Sequence, residues 1–397
     1  MQQKLIIRAD ASTDIGTGHV MRMLALAQAW IEQRSEVGVR RSEVGEKEGA
    51  VLFICALIPD SLEQRLKGEG FCVGIINASP GSPDDLAQTL EVARRMTTDD
   101  RRMTKDKERI DDTSWFVTDG YPFDVAYQRA IRAAGYSLLV VDDYNHLPEY
   151  ECDILLNQNM GAEEYDYNVN ADATRLMGPR YALLRREFRQ ALAQGQKSGK
   201  DVHMASGKPA PTFLATNNDE RRTTNDERTT NILLTMGGSD PHNVTGKVIE
   251  ALNQTDMNDV HVKILLGAAN PHMEAIQRSV SSSTIRYELI NSTQDMPGLM
   301  QWADLAITAA GSTCWELLAM GVPMMTVILA ENQARISRSL AEANWAIDLG
   351  WCDDSMASKI KRNVSDWMAN PALLPGRNDV DSKGAERVVE IMRCHEH

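Results

Sequence analysis

Arg8-Ala9-Asp10-Ala11-Ser12, followed closely by Ile15-Gly16-Thr17-Gly18-His19-Val20-Met21-Arg22, sets the architecture of this chain. The segment lies between a short apolar run, Lys4 to Ala9, and a stretch from Val20 to Gln33 whose apolar positions recur at helical spacing. Strand, small-residue loop and helix form the opening unit of a doubly wound α/β fold. The alternation continues with strands expected at Ala50–Leu57, Trp115–Thr118, Leu138–Val141 and Ile154–Leu156, and helices at Ser61–Gly68, Pro83–Arg94 and Asp124–Ala134. A second series begins after Asn231, with strands at Ile232–Thr235, Val260–Leu266, Ile285–Ile290, Leu305–Thr308 and Met324–Leu329. From about Gln194 to Thr230 the chain is polar without apolar periodicity, which predicts a partly disordered linker. The expected organisation is α/β with two Rossmann-like domains, 1–192 and 231–397, joined by a linker over 193–230.

Composition agrees with that class. The 397 residues, 43% hydrophobic, suffice for two cores, and the low aromatic content of 6% suits helices packed on parallel sheets. A net charge of -14 argues against a nucleic-acid partner, so any anionic ligand must be held locally. Cys55, Cys72, Cys152, Cys314, Cys352 and Cys394 form no C-x-x-C pair and no zinc-type spacing, which predicts reduced thiols. Met1 leads directly into a strand, and no run of about 18 apolar residues occurs. A cytoplasmic protein without stable membrane association is expected.

Gly16 and Gly18 let the backbone approach a ligand, and the helix start behind them offers N–H groups to an anion. A dinucleotide fingerprint would carry Gly or Ala where Met21 stands, which disfavours a dehydrogenase. A lone histidine at a helix start serves structure more often than chemistry, so the loop by itself leaves both roles open for His19. Two comparable loops follow strands in the second half, Met236-Gly237-Gly238-Ser239-Asp240 and Gly311-Ser312-Thr313-Cys314-Trp315-Glu316. Either alone is equally consistent with helix capping. As a pair at strand ends they point to a nucleotide site, Gly311, Ser312 and Thr313 facing a diphosphate and Glu316 the ribose hydroxyls. Asp119-Gly120-Tyr121, Asp142-Asp143-Tyr144, Asn157-Gln158-Asn159 and Glu331-Asn332-Gln333 close other strands. Asp142 and Asp143, as strand neighbours, point to opposite faces without a third ligand, so no metal is expected.

In order and spacing, the segment Arg8 to Arg22, the loops Met236–Asp240 and Gly311–Glu316, and the pair Asn332-Gln333 resemble one family. It is the UDP-2,4-diacetamido-2,4,6-trideoxy-β-L-altropyranose hydrolase of pseudaminic acid biosynthesis. The resemblance covers most of 1–192 and 230–395 and implies a GT-B arrangement with the active site in the interdomain cleft. It implies that His19 is the catalytic base, that Tyr121 and Asn332 orient the sugar or the water, and that Glu316 holds the nucleotide. The segment Tyr181 to Arg185, with Glu187 and Phe188, also matches the family. The implied substrate-binding set is Gly18, Arg22, Tyr121, Asn157, Arg185, Gly237, Gly238, Ser239, Gly311, Ser312, Thr313, Glu316, Asn332 and Gln333. It further implies a UDP-sugar as the small-molecule partner and no cofactor; the oligomeric state is left open by the sequence, with a monomer favoured. A GT-B glycosyltransferase, a UDP-sugar 2-epimerase and a non-catalytic nucleotide-sugar-binding subunit stay open as alternatives.

Three near-duplications with an offset of seven depart from the family: Arg34–Gly38 at Arg41–Gly45, Arg94–Thr97 at Arg101–Thr104, and Asn218–Arg221 at Asn225–Arg228. They are too charged for a coiled coil and read as insertions in surface loops.

Overall fold

The computed structural model describes residues 3–36, 51–97, 114–197, 229–374 except 239, 256–258, 268–269, 292 and 294, together with 376 and 380–395. Apart from Arg34–Glu36 and Arg94–Thr97, which end helices, the repeats lie outside the described residues. The chain divides into two units, Met1–Arg189 with Ser382–His397, and Gln190–Asp381.

In the first unit, strands β1 (Leu5–Ala9), β2 (Val51–Cys55), β3 (Cys72–Ile75), β4 (Trp115–Asp119), β5 (Ser137–Val141), β6 (Ile154–Asn157) and β7 (Thr174–Met177) alternate with helices α1 (Gly18–Glu36), α2 (Asp60–Gly68), α3 (Pro83–Thr97) and α4 (Val125–Ala133). Helix α5 (Arg186–Lys197) follows. The strands form one parallel sheet in the order β3-β2-β1-β4-β5-β6-β7. The inner strands β1, β2, β4, β5 and β6 are buried throughout, as near-continuous apolar runs covered on both faces should be. Leu5 and Ile7 pack with α1 on one face, and Ile6 packs with Tyr127 and Ile131 of α4 on the other.

The second unit carries β8 (Thr230–Thr235), β9 (Val260–Leu265), β10 (Arg286–Ile290), β11 (Leu305–Ala309), β12 (Met324–Ile328) and β13 (Ile347–Trp351), again parallel, in the order β10-β9-β8-β11-β12-β13. Its helices are α6 (Val244–Asn253), α7 (Met273–Ser281), α8 (Met296–Trp302), α9 (Thr313–Ala319), α10 (Glu331–Glu342) and α11 (Met356–Ala369). Among the described residues no helix is long and apolar enough to cross a membrane.

Each sheet reverses its strand order once, between β1 and β4 and between β8 and β11. The crevice beyond the carboxyl ends of such a strand pair is where doubly wound sheets bind ligands. The loop ending at His19 follows β1, and the two glycine loops of the second unit follow β8 and β11.

Two expectations need correction. Residues 231–397 do not all belong to the second domain, because helix α12 (Gly384–Cys394) returns to the first unit. Its buried Ala385, Val388, Val389 and Met392 recur at helical spacing and join the core cluster that contains Trp30 of α1. Gly384 is required there, since a Cβ would lie 2.2 Å from the carbonyl oxygen of Ala182. The linker is also shorter at its start than 193–230, for α5 runs on to Lys197.

Candidate active site

Helix α1 and the ends of β4 and β5 assemble the site. Gly16, at φ 80, closes the turn in which its N–H bonds the Ser12 carbonyl at 2.9 Å, a backbone conformation that side chains resist. The helix then starts at Gly18, and His19 and Arg22, three apart, share one face of it. Register brings their partners alongside. Ala9 pairs with Asp119, and Asp119 with Val141, so Asp119, Tyr121, Asp142 and Asp143 all emerge at the same sheet edge as the glycine loop.

His19 Nδ1 lies 2.6 Å from Asp119 Oδ1. Burial alone would push the Asp119 carboxyl up, but the neighbouring Arg22 and His19, with their hydrogen bonds, hold it below the ordinary carboxylate range. An ionised carboxylate at that distance accepts a hydrogen bond from Nδ1–H, which in the neutral ring leaves Nε2 with its lone pair. Arg22, a buried residue, donates through Nε and Nη2 to Asp119 at 2.6 Å each and through Nη1 and Nη2 to Asp143 at 2.7 and 3.0 Å. Asp143 also receives the Tyr121 hydroxyl at 2.7 Å and Asn159 Nδ2 at 2.8 Å. Its carboxyl is likewise held low, burial being outweighed by Arg22 and then by His19 and Tyr121. Two carboxylates on one guanidinium leave a net negative charge beside His19, the sign that accommodates an imidazolium. The Tyr121 ring meets His19 edge-on, with centroids 5.3 Å apart.

Of the expected first-domain residues, His19, Arg22 and Tyr121 therefore come together, with Gly18 exposed at the helix start. Asn157 is fully buried, donating to the Tyr167 hydroxyl at 2.8 Å and accepting from the Asn159 N–H at 2.9 Å. It supports Asn159 and reaches the site through it. Arg185 bonds Glu187 at 2.7 Å and stacks on Phe188. Those contacts fix the start of α5. Asp119, Asp143 and Asn159 are the neighbours of this cluster that sequence reading left without a role. A histidine and an arginine on one helix face needed acidic partners, and the strand-end aspartates were the available ones.

In the second unit, a Cβ on Gly237 or Gly311 would meet open space, so both backbones are approachable. Ser239 lies outside the described residues. The first N–H groups of α6 are taken by side chains. Asp240 accepts from the N–H groups of Val244 and Thr245 at 2.7 and 2.9 Å, and Asn243 caps Gly246. Helix α9 has no such side-chain cap at Ser312, with Thr313 as its first residue and Glu316 in its first turn. Gln333 is engaged locally, its Oε1 accepting from the Leu329 N–H at 2.9 Å, while Asn332 stands beside it, half-buried.

Asp142 and Asp143 take different direct partners, joined through Tyr167, Asn157 and Asn159, and among the described residues no three His, Cys, Asp or Glu side chains converge as metal ligands.

Comparison with known proteins bears on both units. The model of the glycosyltransferase family 28 C-terminal domain matches residues 232–387. A spore coat polysaccharide biosynthesis protein of Bacillus subtilis is 35% identical over 169 residues, covering 41% of this chain and 50% of that one, so this chain spans about half of that relative's length. The UDP-2,4-diacetamido-2,4,6-trideoxy-beta-L-altropyranose hydrolase of Campylobacter jejuni is 22% identical over 349 residues, 87% of this chain and 98% of that one. The crystal structure of UDP-GlcNAc 2-epimerase from Neisseria meningitidis, bound to UDP-GlcNAc, is similar with a TM-score of 0.59 at 12% identity, over 100% of each chain. The chain thus has the fold of the GT-B proteins, with two α/β units each built on a parallel sheet.

Proposed function

We propose that this chain hydrolyses a UDP-activated diacetamido sugar, UDP-2,4-diacetamido-2,4,6-trideoxy-β-L-altropyranose, to UDP and 2,4-diacetamido-2,4,6-trideoxy-L-altrose. The reading is carried by the His19–Asp119 pair at the point where the first sheet reverses its order, with Nε2 free to act as base. The similarity to the Campylobacter hydrolase over nearly its whole length supports this choice of substrate.

In this mechanism Nε2 of His19 takes a proton from water as the water oxygen attacks the anomeric carbon. The bond from that carbon to the diphosphate oxygen breaks, and its electron pair leaves with UDP. Because UDP is a stable anion, the step needs no acid, unlike glycosidases that protonate an alkoxide. Asp119 holds the tautomer and stabilises the imidazolium as it forms. Tyr121, fixed by Asp143, and Asn332 orient the sugar or the water. Backbone N–H groups near Gly237–Gly238 and at Gly311–Thr313 meet the charge on the diphosphate. Attack from the face opposite UDP inverts the anomeric centre.

The test is turnover in oxygen-18 water without any acceptor, followed by NMR. Label in the sugar is the expected result. Label in UDP would place attack at phosphorus. Release that depends on an added acceptor would make the chain a glycosyltransferase, and an epimerised UDP-sugar would make it an epimerase.

A further inference from the structure

One step along the sheet from Asp119, the end of β5 carries a second histidine–aspartate pair. His146 Nδ1 lies 2.5 Å from Asp142 Oδ1. Asp142 also accepts from the Asn145 N–H at 2.6 Å, the Tyr167 hydroxyl at 2.6 Å and the Tyr150 hydroxyl at 3.0 Å. Burial raises its carboxyl, but the bonds from His146 and Tyr167 prevail and keep it low, so it is an acceptor for every one of these groups. Nδ1 of His146 therefore bears a proton, and in the neutral ring Nε2 is an acceptor. The His146 side chain is only 10% exposed, and its Nε2 is buried without a hydrogen-bond partner among the described residues. The same holds for Oδ1 of the adjacent Asn145. Buried polar atoms are nearly always paired, so two successive acceptors left open call for a donor that the described residues do not supply. Their location says which donor. The His146 ring meets Tyr121 edge-on at 5.2 Å, on a phenol that also meets His19 at 5.3 Å. Two imidazoles, each steered by its own aspartate, thus flank one tyrosine.

We propose that His146 is a substrate-binding residue of this site, its Nε2 accepting a hydrogen bond from a hydroxyl or amide N–H of the sugar. The donor-rich acetamido sugar of the proposed function, on which this inference rests, has both kinds of group. Asp142, Tyr150 and Tyr167 act through His146 as positioning residues.

The test compares His146→Phe with His146→Gln and adds a readout that needs no turnover. Phe keeps the ring and removes the acceptor, and is expected to raise KM about tenfold or more while kcat changes less. Gln can still donate to Asp142 and present an acceptor, and is expected to recover most of the loss. Independently, the nitrogen-15 signal of His146 Nε2 is followed in the His19→Ala protein during titration with UDP-N-acetylglucosamine, and is expected to move to saturation. A moving signal without UDP release by the wild type would keep His146 as a sugar contact and remove hydrolysis. UDP release with a stationary signal, or with KM unchanged in both variants, would overturn the role of His146. A lowered melting temperature as the sole effect of both variants would overturn it too.

Discussion

His19 illustrates how much a single side chain owes to its neighbours. Substituting it with Ala or Gln is expected to abolish UDP release while UDP still binds, which calorimetry with UDP checks. Asp119→Asn conserves shape yet replaces the carboxylate by an amide that can turn an N–H towards Nδ1 and favour the other tautomer, and is expected to lower kcat by about 10²–10⁴-fold with little change in UDP affinity. The same carboxylates make the first unit sensitive to acid. Asp119 and Asp143 have folded-state pKa values below their unfolded ones, near about 4. Their contribution is fully present above that value and is lost as pH falls through the lower folded values. Stability is therefore expected to be level from pH 7 to about 5 and to fall below about 4. Denaturant midpoints of Asp143→Asn should lie below wild type at pH 7 and converge with it in acid. A difference that persists at low pH would show that packing, not charge, is lost.

Elements were legible where burial imposed a pattern. The apolar runs of β1, β2, β4 and β5, and the helical spacing behind Gly18, were read directly because each is buried on one face or two. Strands β3, β7 and β13 went unread for a physical reason. They are sheet edges with partly exposed residues: Thr174–Met177 and Ile347–Trp351 are interrupted by Arg175 and Asp348, and Cys72–Ile75 is apolar but only four residues long and broken by Gly74. The site was legible in part. A glycine loop ending in histidine stands out in a linear text, whereas the pairing of Arg22 with both Asp119 and Asp143 depends on a register that no local pattern encodes. Helix α12 displays its apolar face openly but not the surface that receives it. Gly384→Ala tests that docking, because its Cβ would press on the Ala182 carbonyl. It is expected to cost about 1–3 kcal/mol, read from the unfolding transition.

Across the whole chain, the second unit is an insertion between two segments of the first. Residues 1–197 alone are expected to fold poorly, and addition of a 382–397 peptide to restore protection of α1 amides from hydrogen exchange. Residues 229–381 are expected to fold independently. Protection of α1 in the 1–197 fragment without the peptide would contradict this division of the core.

The return of α12 also orders events on the ribosome. Trp30 emerges early, yet the Val388, Val389 and Met392 that cover its core cluster are made after the entire second unit. At translation rates of about 5–20 residues per second, nascent α1 waits on the order of ten seconds or more with an apolar face uncovered. Chaperone dependence during synthesis should therefore concentrate on the first unit, although it is the first to be made.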